Sequence, residues 1–216
     1  MFGGAASGEM PNLVDRQLVE YFGNAVAASK DGQPQKALAM LTLLLLPAGT
    51  GLSVDYSGLD SKTAEVFRAG VLRGIGLWQD ALGSEMPITL ASRTARPDIV
   101  LKFTDKVTGA DCRCKGEIRS KRWIQWSDQV HYQQFSATIT VCKYADSRLM
   151  TESEIAHIVA HELGHALGLG DVAETGNIMG PLEISNPYAK INPSEIEAVK
   201  SFRRLVKDQL AQIERR

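Results

Sequence analysis

The chain has 216 residues, 44% hydrophobic and 23% charged, which is enough for a sizeable buried core and ordinary for a soluble globular protein. Its 24 basic and 25 acidic residues give a formal net charge of -1, so no global field draws nucleic acid or an anionic membrane. Three cysteines are too few for a disulfide scaffold; one bridge from Cys142 to Cys112 or Cys114 would staple neighbouring strands and leave a thiol over.

In chain order, the opening "MFGGAASGEMPN" lacks the charged and apolar regions of a secretory signal. Residues 12–46 read as two helices. "NLVDRQLVEYFGNAVAAS" carries apolar residues at helical spacing, "KDGQPQ" interrupts it, and "KALAMLTLLLL" runs on to Pro47. The second helix also has the look of a signal-type apolar core, but about ten apolar residues are too few to span a bilayer and a buried helix is expected. "PAGTG" (47–51) then separates an N-terminal helical segment, residues 1–50, from residues 51–216.

Beyond this boundary "LSVDYS" alternates like a strand. "SKTAEVFRAGVLRGIGLWQDALG" (61–83) forms a long amphipathic helix with Ala64, Phe67, Val71, Ile75 and Trp78 on one stripe. "PITLA", "DIVLKF", "EIRSKRWIQW" and "QFSATITVCKY" are four further strands, the last two parted by a polar loop that contains His131. "TESEIAHIVAHELGHALG" (151–168) opens with a capping box, Thr151 three residues ahead of Glu154. A closing helix starts near Pro193. This order predicts an α+β fold, a mixed sheet with helices on one face, preceded by a helical hairpin.

The chemistry concentrates in "HELGHALGLGD" (161–171). His161 and His165 are one helical turn apart, about 40° round the axis, so both imidazoles leave the same face. Glu162 lies about 100° away, close enough to reach a metal-bound water without taking a coordination position. Two neutral nitrogens to hold an ion and a carboxylate to take a proton from its water are what zinc-assisted hydrolysis requires.

Two imidazoles leave a catalytic zinc one protein ligand short. On a continued helix Asp171 would sit about 9 Å further along and about 240° round, facing away. The chain must therefore turn back, and Gly168 and Gly170 permit it. Asp171 is then the expected third ligand, in preference to a mere cap or loop acid, with Glu174 and Glu183 as reserves.

On these residues the chain resembles the metzincin clan of zinc peptidases. The motif HExxHxxGxxD is matched by His161, Glu162, His165, Gly168 and Asp171, with Met179 of "GNIMGP" in the place of the methionine turn. The aspartate variant is similar to that of snapalysin-type proteases, and "AEVFRAGVLRGIGLWQDALGSEMPITLA", "ARPDIVLKF" and "INPSEIEAVKSFRRL" look matrixin-like. The resemblance covers roughly residues 52–210, with 105–150 poorly matched. It implies a mostly parallel five-stranded sheet and one catalytic zinc held by His161, His165 and Asp171. Glu162 would be the general base and Met179 an apolar floor. A cleft that takes a protein or peptide substrate along an edge strand, first assigned to "EIRSKRWIQW", also follows, as does a secreted or extracytoplasmic location. "GPLEISNPY" would line the pocket past the scissile bond, with Pro181 and Tyr188 as wall residues. No calcium loop or second zinc site is recognisable, so calcium is not supported.

Three weaker signals complete the reading. His157, a turn before His161, would close the site if it ligated, so a packed histidine is expected. Arg113, Lys115, Arg119, Lys121 and Arg122, beside Trp123 and Trp126, suit a solvated hairpin better than a nucleic-acid surface. Neither a membrane span nor an oligomeric state is indicated. Two other functions compete: a gluzincin-type peptidase whose third ligand is Glu195 or Glu197, and a non-catalytic module stabilised by a metal. Residues 1–50, ahead of the protease-like part, suit a pro-segment, a cleft cover or an added helical layer.

Overall fold

A computed structural model describes residues 10–91, 96–106, 115–127, 130–184 and 186–215, with only the backbone of 125–127 and 130–133. Cys112 and Cys114 therefore lie outside the described residues, as does Arg113 of the basic cluster. Cys142 is a buried free thiol whose Sγ donates toward the Asp105 carbonyl at 3.3 Å.

Helices α1 (Arg16–Lys30) and α2 (Pro34–Leu44) are followed by strand β1 (Thr50–Asp55) and helix α3 (Ser61–Leu82). Strands β2 (Ile88–Leu90), β3 (Ile99–Thr104), β4 (Gly116–Ser127) and β5 (Val130–Cys142) come next, then a short hairpin of β6 (Tyr144–Ala145) and β7 (Arg148–Leu149). Helices α4 (Glu152–Ala166) and α5 (Pro193–Glu214) close the chain. The fold is α+β, with a five-stranded sheet of order β2-β1-β3-β5-β4. Neighbours from β2 to β5 are parallel; β4 alone runs antiparallel, against β5, and forms one edge.

Alternate residues of the parallel strands, Leu52, Ile99, Leu101, Ile139 and Val141, share one buried core with Phe67, Val71, Ile75 and Trp78 of α3 and Ile155, Val159 and Leu163 of α4. Helix α4 runs so close to α3 that a Cβ on Gly70 would meet the Glu152 carbonyl at 2.7 Å, and one on Gly74 the Ala156 carbonyl at 2.6 Å. Trp78 Nε1 donates to the Ala160 carbonyl at 2.7 Å and fixes the register of the two helices. The α4 capping box forms as expected, and Arg148 clamps the buried Glu154 with two bonds of 2.7 and 2.8 Å. No helix is long and apolar enough to cross a membrane among the described residues.

Three local expectations are revised. The first helix begins at Arg16 and not near residue 12, because Asp15 accepts from the amides of Gln17 and Leu18 and caps it. Residues ahead of the cap form a strap instead: Val14 bridges Leu169, with Asp15 N donating to Gly168 O at 3.0 Å and Gly170 N to Leu13 O at 2.9 Å. The expected polar loop is mostly strand, since β5 starts at Val130, and His131 pairs with Trp126 in the ladder. Arg122 is not solvated. Its guanidinium donates to the carbonyls of Leu43, Leu44 and Ala166, holding the ends of α2 and α4 together. Burial pushes its pKa down to about 10.

Helices α1 and α2 share a second apolar cluster with α5: Ala25, Ala28, Ala37, Leu41 and Leu44 pack with Phe202, Val206 and Ile213. The N-terminal hairpin is thus joined to the closing helix by burial and to α4 by Arg122.

Candidate metal centre

Helix α4 ends in a Schellman turn. Gly168, at φ +105°, donates to the His165 carbonyl at 3.0 Å, and Leu169 N donates to Gly164 O at 3.0 Å. The turn has two consequences for the site. It reverses the chain so that Asp171 returns to the histidine face, and it presents the Leu169 carbonyl to His165. Gly168 carries the left-handed conformation; Gly170 has no positive φ and lies where the strap crosses, its Cβ position 3.4 Å from Asp15 Cα.

His165 Nδ1 is 2.9 Å from the Leu169 carbonyl and His161 Nδ1 is 2.8 Å from the Ile178 carbonyl. A carbonyl only accepts, so each Nδ1 carries the proton and each neutral ring presents an Nε2 lone pair. The two Nε2 atoms are 3.1 Å apart, and Asp171 Oδ1 is 3.1 Å from one and 3.3 Å from the other. Three electron-rich atoms at these separations repel unless a cation lies between them. A tetrahedral ion with bonds of 2.0–2.1 Å holds its ligand atoms about 3.3 Å apart, close to the observed triangle. The donor set therefore fits a metal ion, and His161, His165 and Asp171 form the cluster of metal-ligating type among the described residues. Asp171 fills the carboxylate position; Glu174 and Glu183 are not in the cluster.

The electrostatics follow from the same contacts. Without a metal, hydrogen bonds from the protonated His161 and His165 rings hold the Asp171 carboxyl far below the usual carboxylate range. Burial pushes the His165 imidazole down, but Asp171 and the Leu169 carbonyl outweigh it and the net shift is upward. Glu162 is 3% exposed, and burial raises its pKa although both histidines pull it back. Its carboxylate lies against Gly116 at the start of β4, where a Cβ would collide with Oε1 and with Ile158 Cγ2. Nothing in local spacing pairs residue 116 with 162.

Beneath the histidines, Met179 is fully buried with its Sδ against Gly164, where a Cβ would overlap it. Its amide donates to Glu195 Oε1 at 2.9 Å, and the Asn192 amide donates to Glu195 Oε2 at 2.7 Å. Both oxygens of Glu195 are thus engaged away from the histidines. Glu197 faces Ser201 and Arg204, so neither acid joins the cluster.

A cleft crosses the centre. One side, a cavity of about 430 Å³, is lined by Lys115, Gly116, His157, Ile158, Met179, Gly180, Pro181 and Leu182 beside His161, Glu162 and Asp171. The other, about 440 Å³, runs between β4 and the strap, with Asp15, Gln17 and Leu18 facing Ser120 and Arg122. Pro181 lines the first of these cavities. The Tyr188 ring is not among the lining residues: its hydroxyl donates to Asn192 Oδ1 at 2.6 Å, while its carbonyl holds His157 Nδ1 at 3.0 Å. His157 is packed, 2% exposed, and outside the metal cluster.

Neither a scan against protein-family models nor a search of curated proteins gives a match to this chain.

Proposed function

We propose that the protein is a zinc-dependent endopeptidase of metzincin type, matrixin-like in its catalytic part, with an aspartate as third ligand. One observation carries this reading. Two carbonyl-fixed Nε2 lone pairs and one carboxylate oxygen converge within 3.3 Å of one another, and a buried carboxylate with a raised pKa lies next to them in an open cleft. A purely structural site has no use for Glu162.

His161, His165 and Asp171 would hold the zinc, which would supply Lewis acidity toward water and the peptide carbonyl. Glu162 takes the proton of the attacking water and returns it to the leaving amine; its raised pKa suits both transfers. Among the described residues β4 pairs as a strand with β5 alone, and an extended peptide would add along its other side in the manner of β-augmentation. Gly116 at its start lies against Glu162, so a peptide added along this strand would carry its scissile bond past that carboxylate.

The test pairs metal analysis with cleavage of casein and a mixed peptide library by wild type and Glu162→Gln. Wild type should bind one zinc and cut; the variant should keep the zinc and lose about 10³-fold or more in rate. Equal cleavage by the two proteins, or zinc binding without any cleavage by wild type, would remove the reading.

A further inference from the structure

The cavity of about 440 Å³ away from Met179 has one wall from β4, with Ser120 and Arg122, and one from the N-terminal segment, with Asp15, Gln17 and Leu18. It reaches the three metal-ligating residues and Glu162. The N-terminal wall is firmly attached. Asp15 N donates to Gly168 O, and Gly170 N donates to Leu13 O, beside the loop that carries Asp171. Leu18 lies against the Gly168 turn, 3.3 Å from where a Cβ would stand. Behind this wall α1 and α2 bury Phe202, Val206 and Ile213 of α5, and Arg122 donates to the Leu43 and Leu44 carbonyls. Removing the hairpin would expose that apolar face and unpair part of the guanidinium. The space between the two walls is therefore a lasting part of the folded chain.

Strand β4 sets the direction of what lies there. It begins at Gly116, against Glu162, and runs toward Ser120 and Arg122. An antiparallel partner, the more stable pairing, runs the opposite way, so its amino side lies along Ser120 and its carboxyl side beyond Gly116. Residues 116 to 120 span about 13 Å, the length of about four extended residues. Asp15 is occupied by the amides it caps. Gln17 and Ser120 are exposed at the lining, and each offers a donor and an acceptor. We propose that Gln17 is a substrate-binding residue: the first turn of α1 and β4 together grip the amino side of an extended polypeptide, about four residues long, by its backbone. The N-terminal hairpin is then half of the substrate cleft and not a segment to be shed. This deepens the peptidase reading and rests on it for the ligand's being a peptide. Contacts from an amide and a hydroxyl to the backbone make length on the amino side matter more than sequence there.

Two measurements on the full chain test this. Peptides with a common carboxyl side and one to four residues ahead of the cleaved bond should rise about tenfold or more in kcat/KM with wild type as they lengthen. In Gln17→Trp, an exposed position where the indole fills the cavity, the rise should shrink to about twofold or less. No rise with wild type, or an equal rise in Gln17→Trp, overturns the proposal. The second measurement needs no turnover. In the zinc-loaded, ¹⁵N-labelled protein, N-acetyl-tetraalanine hydroxamate should bind about tenfold more tightly than acetohydroxamate and move the Gln17 side-chain amide resonances, which acetohydroxamate should leave in place. If it does so while wild type cuts no peptide, the peptidase reading fails and the assignment of the wall stands. If the two hydroxamates bind alike and the Gln17 resonances do not move, the assignment of the wall fails whatever is cut.

Discussion

At the scale of single residues, the site depends on atoms that must be absent as much as on those present. A methyl group on Gly116 would press on Glu162 Oε1 and on Ile158, shifting the carboxylate without touching a ligand. Gly116→Ala should therefore lower peptide cleavage about 10- to 100-fold while zinc content stays at one per chain, since a small misplacement of the base is costly. Loss of zinc from this variant would show that residue 116 supports the metal and not the base. Gly168→Ala acts differently. At φ +105° an alanine is strained, and its Cβ would meet Leu18 and Phe202 at 3.3 Å. Denaturant unfolding should show a loss of about 1–3 kcal/mol, accompanied by weaker zinc binding because the Asp171 loop shifts with the turn. A loss of stability with unchanged zinc affinity would uncouple the turn from the site.

Between elements, two connections hold the N-terminal hairpin against the cleft. Arg122, half-buried, donates to the carbonyls that end α2 and α4. Arg122→Met keeps the apolar stem but orphans those carbonyls, and should cost about 2–4 kcal/mol in denaturant unfolding. Arg204→Ala, which removes an exposed pairing with Glu197, is the control and should leave the midpoint nearly unmoved. The strap at residues 13–15 adds two backbone hydrogen bonds to the loop that carries Asp171. Deleting residues 1–14 spares the Asp15 cap, so α1 should persist by circular dichroism while the zinc dissociation constant rises about tenfold. An unchanged constant would make the strap mere packing. If the deletion instead raises cleavage with zinc retained, the segment acts as a cover on the cleft.

For the whole molecule, a metal at this centre would be linked to folding. Zinc that binds only the folded chain stabilises it in proportion to the logarithm of its concentration over Kd, so EDTA should lower the midpoint of thermal unfolding. The sign with pH follows from the shifts at the site. The Asp171 pKa is depressed, so its contribution is present above the ordinary 3.8 and is lost as pH falls through the lower folded value. The His165 pKa is raised, so its contribution in the metal-free protein is complete below the ordinary 6.5 and is lost as pH rises through the folded value. The metal-free protein thus gains from this pair on the acid side of neutrality. Zinc needs both Nε2 atoms deprotonated and gains above it. The zinc-induced rise in the midpoint should accordingly grow from about pH 5 to about pH 8. A flat or falling difference over that range would mean that the ion is held elsewhere.

Local rules in the sequence determined much of this. Helical spacing placed His161, His165 and Glu162, the capping box started α4, and the need for a reversal pointed to Gly168 and brought Asp171 into consideration. Alternation and periodicity located the strands and α3, because each such signal lies within one element and is set by the geometry of that element. The tertiary structure decided the rest. It chose Asp171 over Glu174, Glu183, Glu195 and Glu197, made β4 the edge, and set Gly116 against Glu162. It also buried an arginine that composition assigned to solvent, and it ran the chain ahead of α1 alongside the Asp171 loop. Each of these is a contact between segments tens of residues apart, fixed by which faces bury together and which carbonyl is left needing a donor, and no spacing along the chain records that.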